Sequence, residues 1–404
     1  MTANEILRIY GTEYRDMTVR LLQEADLIGE IRKKAGLTGR GPGADNNSIP
    51  EDFLIGIKPN LVTPNPAMFG GTTHPEIVEG ILSYLLEHGL KKEQLIILEG
   101  SWVGDRTEEA FDYCGYFSLA ERYGVVLKDL QKEKRIDTVS CAGMDLQICS
   151  LARELDFLIN VPVLKGHCQT KVTCALKNMK GVIPNSEKRR FHRMGLHKPI
   201  AHLNAGIRQD FIVIDHICGD PDFEEGGNPL VRNCIMAAED PVLTDAYTCR
   251  ILGYEPSEVS YITLAARLGL GSCDLDTLSL RTLEGTIPEE EPQDGRLSGE
   301  KEASGQSPET RKLVDIAYAV EEIDSCSACY GTLLPALERL RKEGLLDLLV
   351  RKLDGAKIGI GQGYRGRTGL VGVGNCTAGF RNCIRGCPPK EEEIFDALKR
   401  FLEA

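Results

Sequence analysis

The stretch DFLINVPVLKGH (residues 156–167) is an apolar run that ends in a lysine and a histidine. Comparable runs occur at FLIGIKPN (53–60), QLIILEGS (94–101) and FIVIDHICGD (211–220). Continuous apolar runs of this kind are typical of strands that are buried on both faces of a sheet. Helical patterns such as HPEIVEGILSYLLEHGL (74–90) come between the runs. Strands that alternate with helices predict an α/β fold with open, parallel sheets flanked by helices.

A change in composition divides the chain. The segment PEEEPQDGRLSGEKEASGQSPET (288–310) is rich in Glu, Gly, Ser and Pro and has almost no large apolar residues, which indicates a linker or an exposed loop. We therefore predict an N-terminal α/β domain (1–287) of the Rossmann- or flavodoxin-like class and a small C-terminal α/β unit (311–404). The C-terminal unit has apolar runs of its own, at AKIGIGQG (356–363) and GLVGVGNC (369–376).

The overall charge limits the class of partner. The chain of 404 residues has a net charge of -12 and a pI of about 5.3, whereas a nucleic-acid-binding protein needs a basic face. The apolar stretches are shorter than the roughly 18 residues that a membrane-spanning helix requires, and the N-terminal residues show no apolar signal sequence. We expect a cytoplasmic protein that binds neither nucleic acid nor a membrane.

Polar and basic side chains cluster just after the predicted strands, at the edge where open α/β sheets bind ligands. The densest stretch, residues 159–192, concentrates lysines, arginines and histidines in an acidic chain. Such a local positive field can hold a carboxylate or phosphate, although a solvated basic surface is the alternative. We predict a cleft for a small anionic substrate, with Asp215, His216 and Asp245 as further candidates. Its predicted catalytic residues are Lys165, His167, Lys177 and His192, and its predicted cofactor-binding residues are Lys58, Asn60, Glu99, Ser101 and Asn178.

Five of the fourteen cysteines crowd into a short part of the C-terminal unit. In a reducing compartment, thiols are buried, reactive or metal-bound rather than disulfide-bonded. Four thiolates from three loops at one sheet edge can enclose a tetrahedral metal or an iron–sulfur cluster. A redox dithiol and structural zinc are the alternatives. Cys383 is a fifth thiol that could be a spare, a resolving thiol or a substitute ligand. The predicted metal-binding cysteines are Cys326, Cys329, Cys376 and Cys387, with Cys383 ranked after them.

Three segments of the C-terminal unit carry a resemblance: DSCSACYGTLLPAL, VGVGNCTAGF and GCPPKEEEIFDAL. They resemble the proximal-cluster region of nickel–iron hydrogenase small subunits and of the related quinone oxidoreductase subunit. The resemblance implies a flavodoxin-like fold that holds one [4Fe-4S] cluster on Cys326, Cys329, Cys376 and Cys387. The spacing differs, because only ten residues separate Cys376 from Cys387. The resemblance therefore favours an iron–sulfur cluster over zinc without indicating a hydrogenase subunit.

A second resemblance covers residues 50–255. The segments IKPNLV, IILEGSW, VPVLKGH, VTCALKNMKGVIP and AAEDPVLTDAYTCRILGY resemble the domain-of-unknown-function 362 family. Its members often carry a ferredoxin-like iron–sulfur segment, a role that the C-terminal unit would take here. A weaker similarity is to lactate racemase-type enzymes with a nickel-pincer cofactor. It implies that His167 and His192 serve catalysis and nickel binding and that Lys177 carries the cofactor.

These features together predict an iron–sulfur protein that acts in electron transfer or in redox chemistry on a small anionic substrate or a redox partner protein. Lys165, His167 and Lys177 would handle the substrate or its protons. Three alternatives remain: a nickel-dependent racemase or isomerase, a lyase in which the cluster acts as a Lewis acid, and a pure electron carrier.

Overall fold

The structure is a computed structural model that describes residues 1–37, 48–167, 169–227, 229–284, 316, 318–323, 325 and 327–403. The chain divides into two compact units, Met1–Ala303 and Ser304–Ala404. The predicted linker (288–310) and the predicted ligand Cys326 lie outside the described residues.

The N-terminal unit alternates strands with helices. The strands in its described part are β1 (Glu5–Tyr10), β2 (Ile55–Pro59), β3 (Leu95–Glu99), β4 (Val126–Asp129), β5 (Ile136–Cys141), β6 (Met144–Cys149), β7 (Phe157–Val161), β8 (Lys165–His167), β9 (Lys171–Thr173), β10 (Phe211–His216), β11 (Cys234–Ala238) and β12 (Ser279–Thr282). The helices there are α1 (Tyr14–Glu24), α2 (Leu27–Lys34), α3 (Pro75–Glu87), α4 (Thr107–Tyr113), α5 (Tyr116–Tyr123), α6 (Ser150–Glu154), α7 (Ala175–Asn178), α8 (Asn185–Met194), α9 (His197–Gly206), α10 (Pro241–Ile251) and α11 (Ser260–Arg267).

One large sheet organises this unit, with the strand order β12-β1-β11-β10-β7-β2-β3-β4. The strands β10, β7, β2, β3 and β4 run parallel to one another, as the buried apolar runs predict. The strand β11 departs from the prediction, because it runs antiparallel to both of its neighbours, β1 and β10. Two antiparallel pairs, β5–β6 and β8–β9, lie outside the large sheet.

Helices pack on both faces of the large sheet, as predicted. Neighbouring residues of one strand face different apolar cores: Leu158 belongs to one core and Ile159 to the other. The helices α1 to α5 line the second core, and α6 to α11 line the first. Burying an aliphatic side chain of this kind stabilises the fold by about 1.5–3 kcal/mol, so the alternation along each strand holds the three layers together.

The apolar run DFLINVPVLKGH (156–167) is not one strand. The strand β7 ends at Val161, directly before Pro162, which has no N–H to continue a ladder. Val163 makes only an isolated bridge to Asp215. Lys165 and His167 then belong to the separate antiparallel pair β8–β9, so the prediction that they leave a strand of the main sheet is wrong in this respect.

The C-terminal unit contains a small parallel sheet with the order β13-β14-β15-β16. Its described strands are β13 (Val320–Glu322), β14 (Ile358–Ile360), β15 (Val371–Val373) and β16 (Asn382–Ile384), and its helices are α12 (Ser327–Lys342), α13 (Leu346–Lys352) and α14 (Glu391–Glu403). The predicted small α/β unit therefore has the expected class of fold. Among the described residues, none of the helices has the length and apolar character needed to cross a membrane.

Candidate functional site

The candidate site of the N-terminal unit lies around α7 and the β8–β9 pair. The helix α7 is held at its start by Asp245, whose carboxylate accepts hydrogen bonds from the backbone N–H of Ala175 at 2.7 Å and of Leu176 at 3.3 Å. Burial raises the pKa of Asp245 to about 7, although these hydrogen bonds oppose the shift. Lys177 and Asn178 lie within this helix, whereas the sequence pattern predicts that they follow a short helix.

Lys58 and Glu99 form a buried ion pair beneath α7. Lys58 Nζ lies 2.9 Å from Glu99 Oε2 and also donates to Pro59 O at 3.1 Å and to Asn178 Oδ1 at 3.3 Å. Burial lowers the pKa of Lys58, and Glu99 opposes that shift. A Cβ on Gly181 would collide with Glu99 Oε1 and come within 2.5 Å of Lys58 Nζ, so only glycine leaves room for the pair.

Ser101 and Lys188 continue this network. Ser101 Oγ donates to Leu61 O at 2.6 Å. Lys188 Nζ donates to the carbonyl oxygens of Gly100 and Ser101, each at 2.8 Å. Burial lowers the pKa of Lys188 to about 7. These contacts join neighbouring strand ends, so the network positions the backbone of the site. Binding of a cofactor by Lys58, Glu99, Ser101 and Asn178 stays a prediction.

Lys165 is buried, with 1% of its surface exposed. Its Nζ donates to Asn60 Oδ1 at 3.2 Å, to Glu224 O at 2.6 Å and to Gly71 O. Burial lowers the pKa of Lys165 to about 8, although nearby carboxylates, with Glu224 the strongest, oppose the shift. The predicted partners Lys165 and Asn60 are therefore in direct contact, and the lysine can exchange a proton near neutral pH.

His167 is held as a neutral imidazole. Its Nδ1 accepts hydrogen bonds from the backbone N–H of Gln169 at 3.0 Å and of Thr170 at 3.1 Å. The proton therefore lies on Nε2, which is 3.2 Å from Glu224 Oε1. Burial, together with the positive charges of Lys177 and Lys180, holds the pKa of His167 well below its ordinary value. The ring can thus donate one hydrogen bond without carrying a charge.

The remaining basic groups lie in electrostatic contact with His167. Lys177 Nζ donates to Thr173 Oγ1 at 2.8 Å. Burial and Lys177 lower the pKa of Lys180 to about 7, with Glu224 opposing the shift. Burial, Lys180 and Lys177 also hold the pKa of His192 well below its ordinary value. The structure therefore brings together all four residues that were predicted as catalytic: Lys165, His167, Lys177 and His192.

Sequence reasoning missed the central acidic group of this cluster. Glu224 contacts Lys165 through its backbone carbonyl and His167 through its side chain. It lies in the loop DPDFEEGG (220–227), which follows β10. The usable signal was the position of two glutamates and two glycines directly after a strand end, where α/β sheets place ligand-binding loops.

Two described thiols of the C-terminal unit lie at the carboxyl edge of its sheet. Cys376 follows β15, and Cys387 follows β16. The two loops are joined by backbone hydrogen bonds from Gly374 N to Ile384 O at 2.8 Å and from Asn375 N to Gly386 O at 2.9 Å. The loops that carry these two thiols are therefore fixed against each other.

Cys329 and Cys383 both approach Gly374. The glycine has a φ of 90°, and a Cβ on it would lie 3.2 Å from Cys329 Sγ. Cys383 Sγ lies 3.7 Å from Gly374 O and 3.6 Å from Thr377 Oγ1. The cysteines of this unit that the structure describes form no disulfide bonds with one another. Within the described residues, no group of three or more His, Cys, Asp or Glu side chains is arranged to hold a metal ion, and Cys326 is not among these residues.

The fold and the buried basic site define an α/β protein with a candidate acid–base centre. Comparisons with known proteins agree with the resemblance of residues 50–255 to the domain-of-unknown-function 362 family. Residues 55–250 match the profile of a family described as a domain of unknown function, DUF362. A thylakoid-associated protein, sll1697, of Synechocystis sp. is 25% identical over 237 residues, which are 56% of this chain and 71% of that protein. The C-terminal hydrogenase-like resemblance stays a prediction.

Two solved structures align with part of this chain. The lactate racemase apoprotein from Thermoanaerobacterium thermosaccharolyticum is 14% identical, with a TM-score of 0.37 over 63% of this chain and 57% of that chain. A structural-genomics protein from Thermotoga maritima is 14% identical, with a TM-score of 0.36 over 61% of this chain and 60% of that chain. The chain therefore spans less than two thirds of either solved protein.

Proposed function

We propose that this chain is an iron–sulfur protein that carries out redox chemistry on a small anionic substrate. The observation that supports the cluster is that the loops of Cys376 and Cys387 are joined to each other and that Cys329 approaches Gly374 in the first of these loops. Cys329 faces the space that the missing side chain of Gly374 leaves open. The loops that carry Cys376 and Cys387 are joined by hydrogen bonds.

The described donors fit a cluster in their chemistry. Thiolates are the ligands that iron–sulfur clusters use, and four of them hold a [4Fe-4S] cluster. Cys329, Cys376 and Cys387 would hold it together with Cys326. Cys383 contacts Gly374 O and Thr377 Oγ1, so we assign it to the support of the loop rather than to the cluster. When bound, such a cluster supplies single electrons.

Metal analysis after anaerobic purification tests the cluster. We expect about four irons and four sulfides per chain, a signal in electron paramagnetic resonance after reduction with dithionite, and loss of both in Cys387→Ala. The control is Cys273→Ala, because Cys273 is a partly exposed thiol of the N-terminal unit and its loss should leave the iron content unchanged. Zinc alone, or no metal under strict anaerobiosis, would contradict the proposal.

The buried basic residues of the N-terminal unit are the proposed binding site for the anionic substrate. Lys165 and Lys180 have pKa values of about 8 and 7 because burial disfavours their charged forms. A bound anion would restore the charge of these lysines, and His167 would donate from Nε2 without adding charge once the anion replaces Glu224 as the acceptor. We propose that Lys165, Lys177 and Lys180 bind the substrate anion and that His167 orients it.

Titration calorimetry with inorganic phosphate and with acetate tests this site. We expect binding that takes up protons from the buffer, because the anion raises the pKa of the buried lysines. The proton uptake should fall in Lys177→Met and stay unchanged in Lys128→Met, since Lys128 lies on β4 at the edge of the large sheet. Equal proton uptake in both variants would contradict the assignment.

Nickel is the alternative cofactor. His167 and His192 are both kept neutral, which is the form that binds metals, and this agrees with a nickel-dependent racemase. Both ring nitrogens of His167 are engaged within the protein, however, by Gln169, Thr170 and Glu224. Nickel binding would require His167 to give up one of these contacts. Nickel without iron in the same metal analysis would favour the racemase.

A further inference from the structure

A second cluster of reactive side chains includes Asp215, which the sequence suggests as a further candidate for the anion cleft. His74 is the N-cap of α3, Asp215 belongs to β10, and Cys218 lies two residues beyond the end of that strand. His74 Nδ1 is 2.8 Å from Asp215 Oδ2, and His74 Nε2 is 3.6 Å from Cys218 Sγ. A thiol, an imidazole and a carboxylate therefore stand in line, the order found in nucleophilic sites.

The backbone fixes the orientation of this triad. Asp215 Oδ2 also accepts the backbone N–H of His74 at 2.8 Å, and Asp215 Oδ1 accepts the N–H of Ile217 at 3.0 Å. Pro75 occupies the first turn of α3 and so fixes the chain directly after His74. The imidazole Nδ1–H is thereby aimed at the carboxylate, and Nε2 is left facing the sulfur.

The charges around the imidazole favour its protonated form. Burial lowers the pKa of His74, but Asp215 and Cys218 outweigh burial and raise it to about 10. Tyr14 stands with its ring edge to the imidazole at 5.6 Å between centroids. Tyr14 stays neutral, because burial and the nearby negative groups, including Glu76, raise its pKa. An imidazolium beside a thiol stabilises the thiolate, the reactive form of cysteine.

Cys114 is the contrasting thiol in the same unit. It is buried like Cys218, with 4% exposed against 5%. Its Sγ donates to a carbonyl oxygen, Asn65 O, at 3.1 Å, just as Cys218 Sγ donates to Ala67 O at 3.4 Å. Burial raises the pKa of Cys114 to about 11. The two thiols are therefore matched in burial and differ in whether an imidazole stands beside the sulfur.

We propose that Cys218 is a nucleophilic thiol activated by His74 and Asp215, and that hydroperoxides oxidise it to a sulfenic acid. The thiolate sulfur attacks the terminal oxygen of the peroxide, so that an S–O bond forms as the O–O bond breaks. The electron pair leaves on the second oxygen, which takes the proton from His74 Nε2. Sulfur loses two electrons, the peroxide gains two, and the products are a sulfenic acid and water or an alcohol.

Cys218 lies in the same loop as a residue of the site around Lys165 and His167, so its oxidation can affect that site. The same loop continues from Cys218 to Glu224, which contacts both Lys165 and His167. Cys218 Sγ also donates to Ala67 O at 3.4 Å, a contact that the thiolate gives up. The proposal itself does not depend on the iron–sulfur cluster or on the anion site.

The test is residue-by-residue oxidation of the full chain by hydrogen peroxide, a reagent little larger than water. After the reaction is stopped with catalase, the protein is unfolded, its remaining thiols are alkylated, and peptide mass spectrometry measures each one. At pH 7 we expect Cys218 to be consumed roughly tenfold faster than Cys114, because the thiolate is the nucleophile. Dimedone should trap the sulfenic acid at Cys218.

Two outcomes would overturn the proposal. The first is equal consumption of Cys218 and Cys114 in the unmodified chain, a comparison that needs no variant. The second is an unchanged rate at Cys218 in His74→Gln, provided that circular dichroism shows a native fold. The expected result for His74→Gln is a loss of the difference between the two thiols, with the rate at Cys114 unaltered.

Discussion

Replacing Lys58 by methionine would leave the carboxylate of Glu99 inside the N-terminal unit without the ammonium that lies 2.9 Å away. Both side chains are almost fully buried, with 0% of Lys58 and 4% of Glu99 exposed. Removing one partner of a buried ion pair costs about 3–5 kcal/mol, because it leaves an uncompensated charge. Glu99 keeps hydrogen bonds from Gly100 N at 2.7 Å and Leu61 N at 3.3 Å, so we expect a loss at the lower end, about 3 kcal/mol.

The second substitution separates charge from packing. Glu99→Gln in the Lys58→Met background removes the buried charge and keeps one oxygen, which can accept from Gly100 N while the bond to Leu61 N is lost. Replacing a whole buried ion pair by neutral groups is often close to neutral in stability. The double variant should therefore be more stable than Lys58→Met alone, although it has lost one more native side chain.

Tryptophan fluorescence during urea unfolding measures this loss in the right part of the chain. The sequence has a single tryptophan, Trp102, which lies just after Glu99 in the N-terminal unit. The control is Lys91→Met, because the pair Lys91–Glu51 is exposed and exposed pairs contribute little. A loss below about 1 kcal/mol for Lys58→Met, within the range of an exposed pair, or a double variant no more stable than the single one, would refute the reasoning.

Three further predictions concern the same unit. The pKa of Lys165 is about 8 in the folded chain and near its ordinary value in the unfolded chain, so the unfolded chain binds more protons above pH 8. The free energy of unfolding should therefore rise from pH 8 to about 10. The urea midpoint measures this rise, which should be less steep in Lys165→Met. The pKa of Asp245 is about 7, so its contribution to stability is lost as the pH rises from about 4 to 7; Asp245→Asn should flatten that fall, and an identical pH profile would contradict the assignment. Gly181→Ala should cost about 1–3 kcal/mol through overpacking, because its Cβ would collide with Glu99; an unchanged melting temperature would contradict this.

The main sheet was predictable where its strands are apolar throughout. The runs that became β2, β3 and β10 are buried along their whole length, and this double-sided burial is what produces a continuous apolar run. The strand β11 has the short sequence CIMAA, in which three of the five residues are alanine or cysteine, so nothing local separates it from a helix. Its antiparallel direction depends on pairing with β1, from the far end of the unit, and no local pattern encodes that.

The candidate site was predictable in its members but not in its contacts. Lys165, His167 and Lys177 stand out because they belong to a dense local group of basic residues in an acidic chain and come after an apolar run. Their partners come from distant segments: Asn60 lies well before Lys165 in the sequence, and Glu224 lies well after it. The tautomer of His167 depends on two backbone N–H groups of a turn. Such contacts arise from tertiary packing, so the charges of these groups could be assigned only in the folded chain.

The arrangement of β1 has a consequence for the order of folding. This strand is the nearest to the N-terminus, yet its sheet partners are β11 and β12, with Tyr10 opposite Cys234 and Arg8 opposite Thr282. At about 5–20 residues per second, a ribosome makes these partners roughly 10–50 s after β1 itself. The strands β2, β3 and β4 can pair with one another much sooner, because they are closer in sequence. During synthesis β1 therefore waits as an unpaired apolar segment, and this is the interval in which a chaperone would be needed to keep it from pairing with another chain.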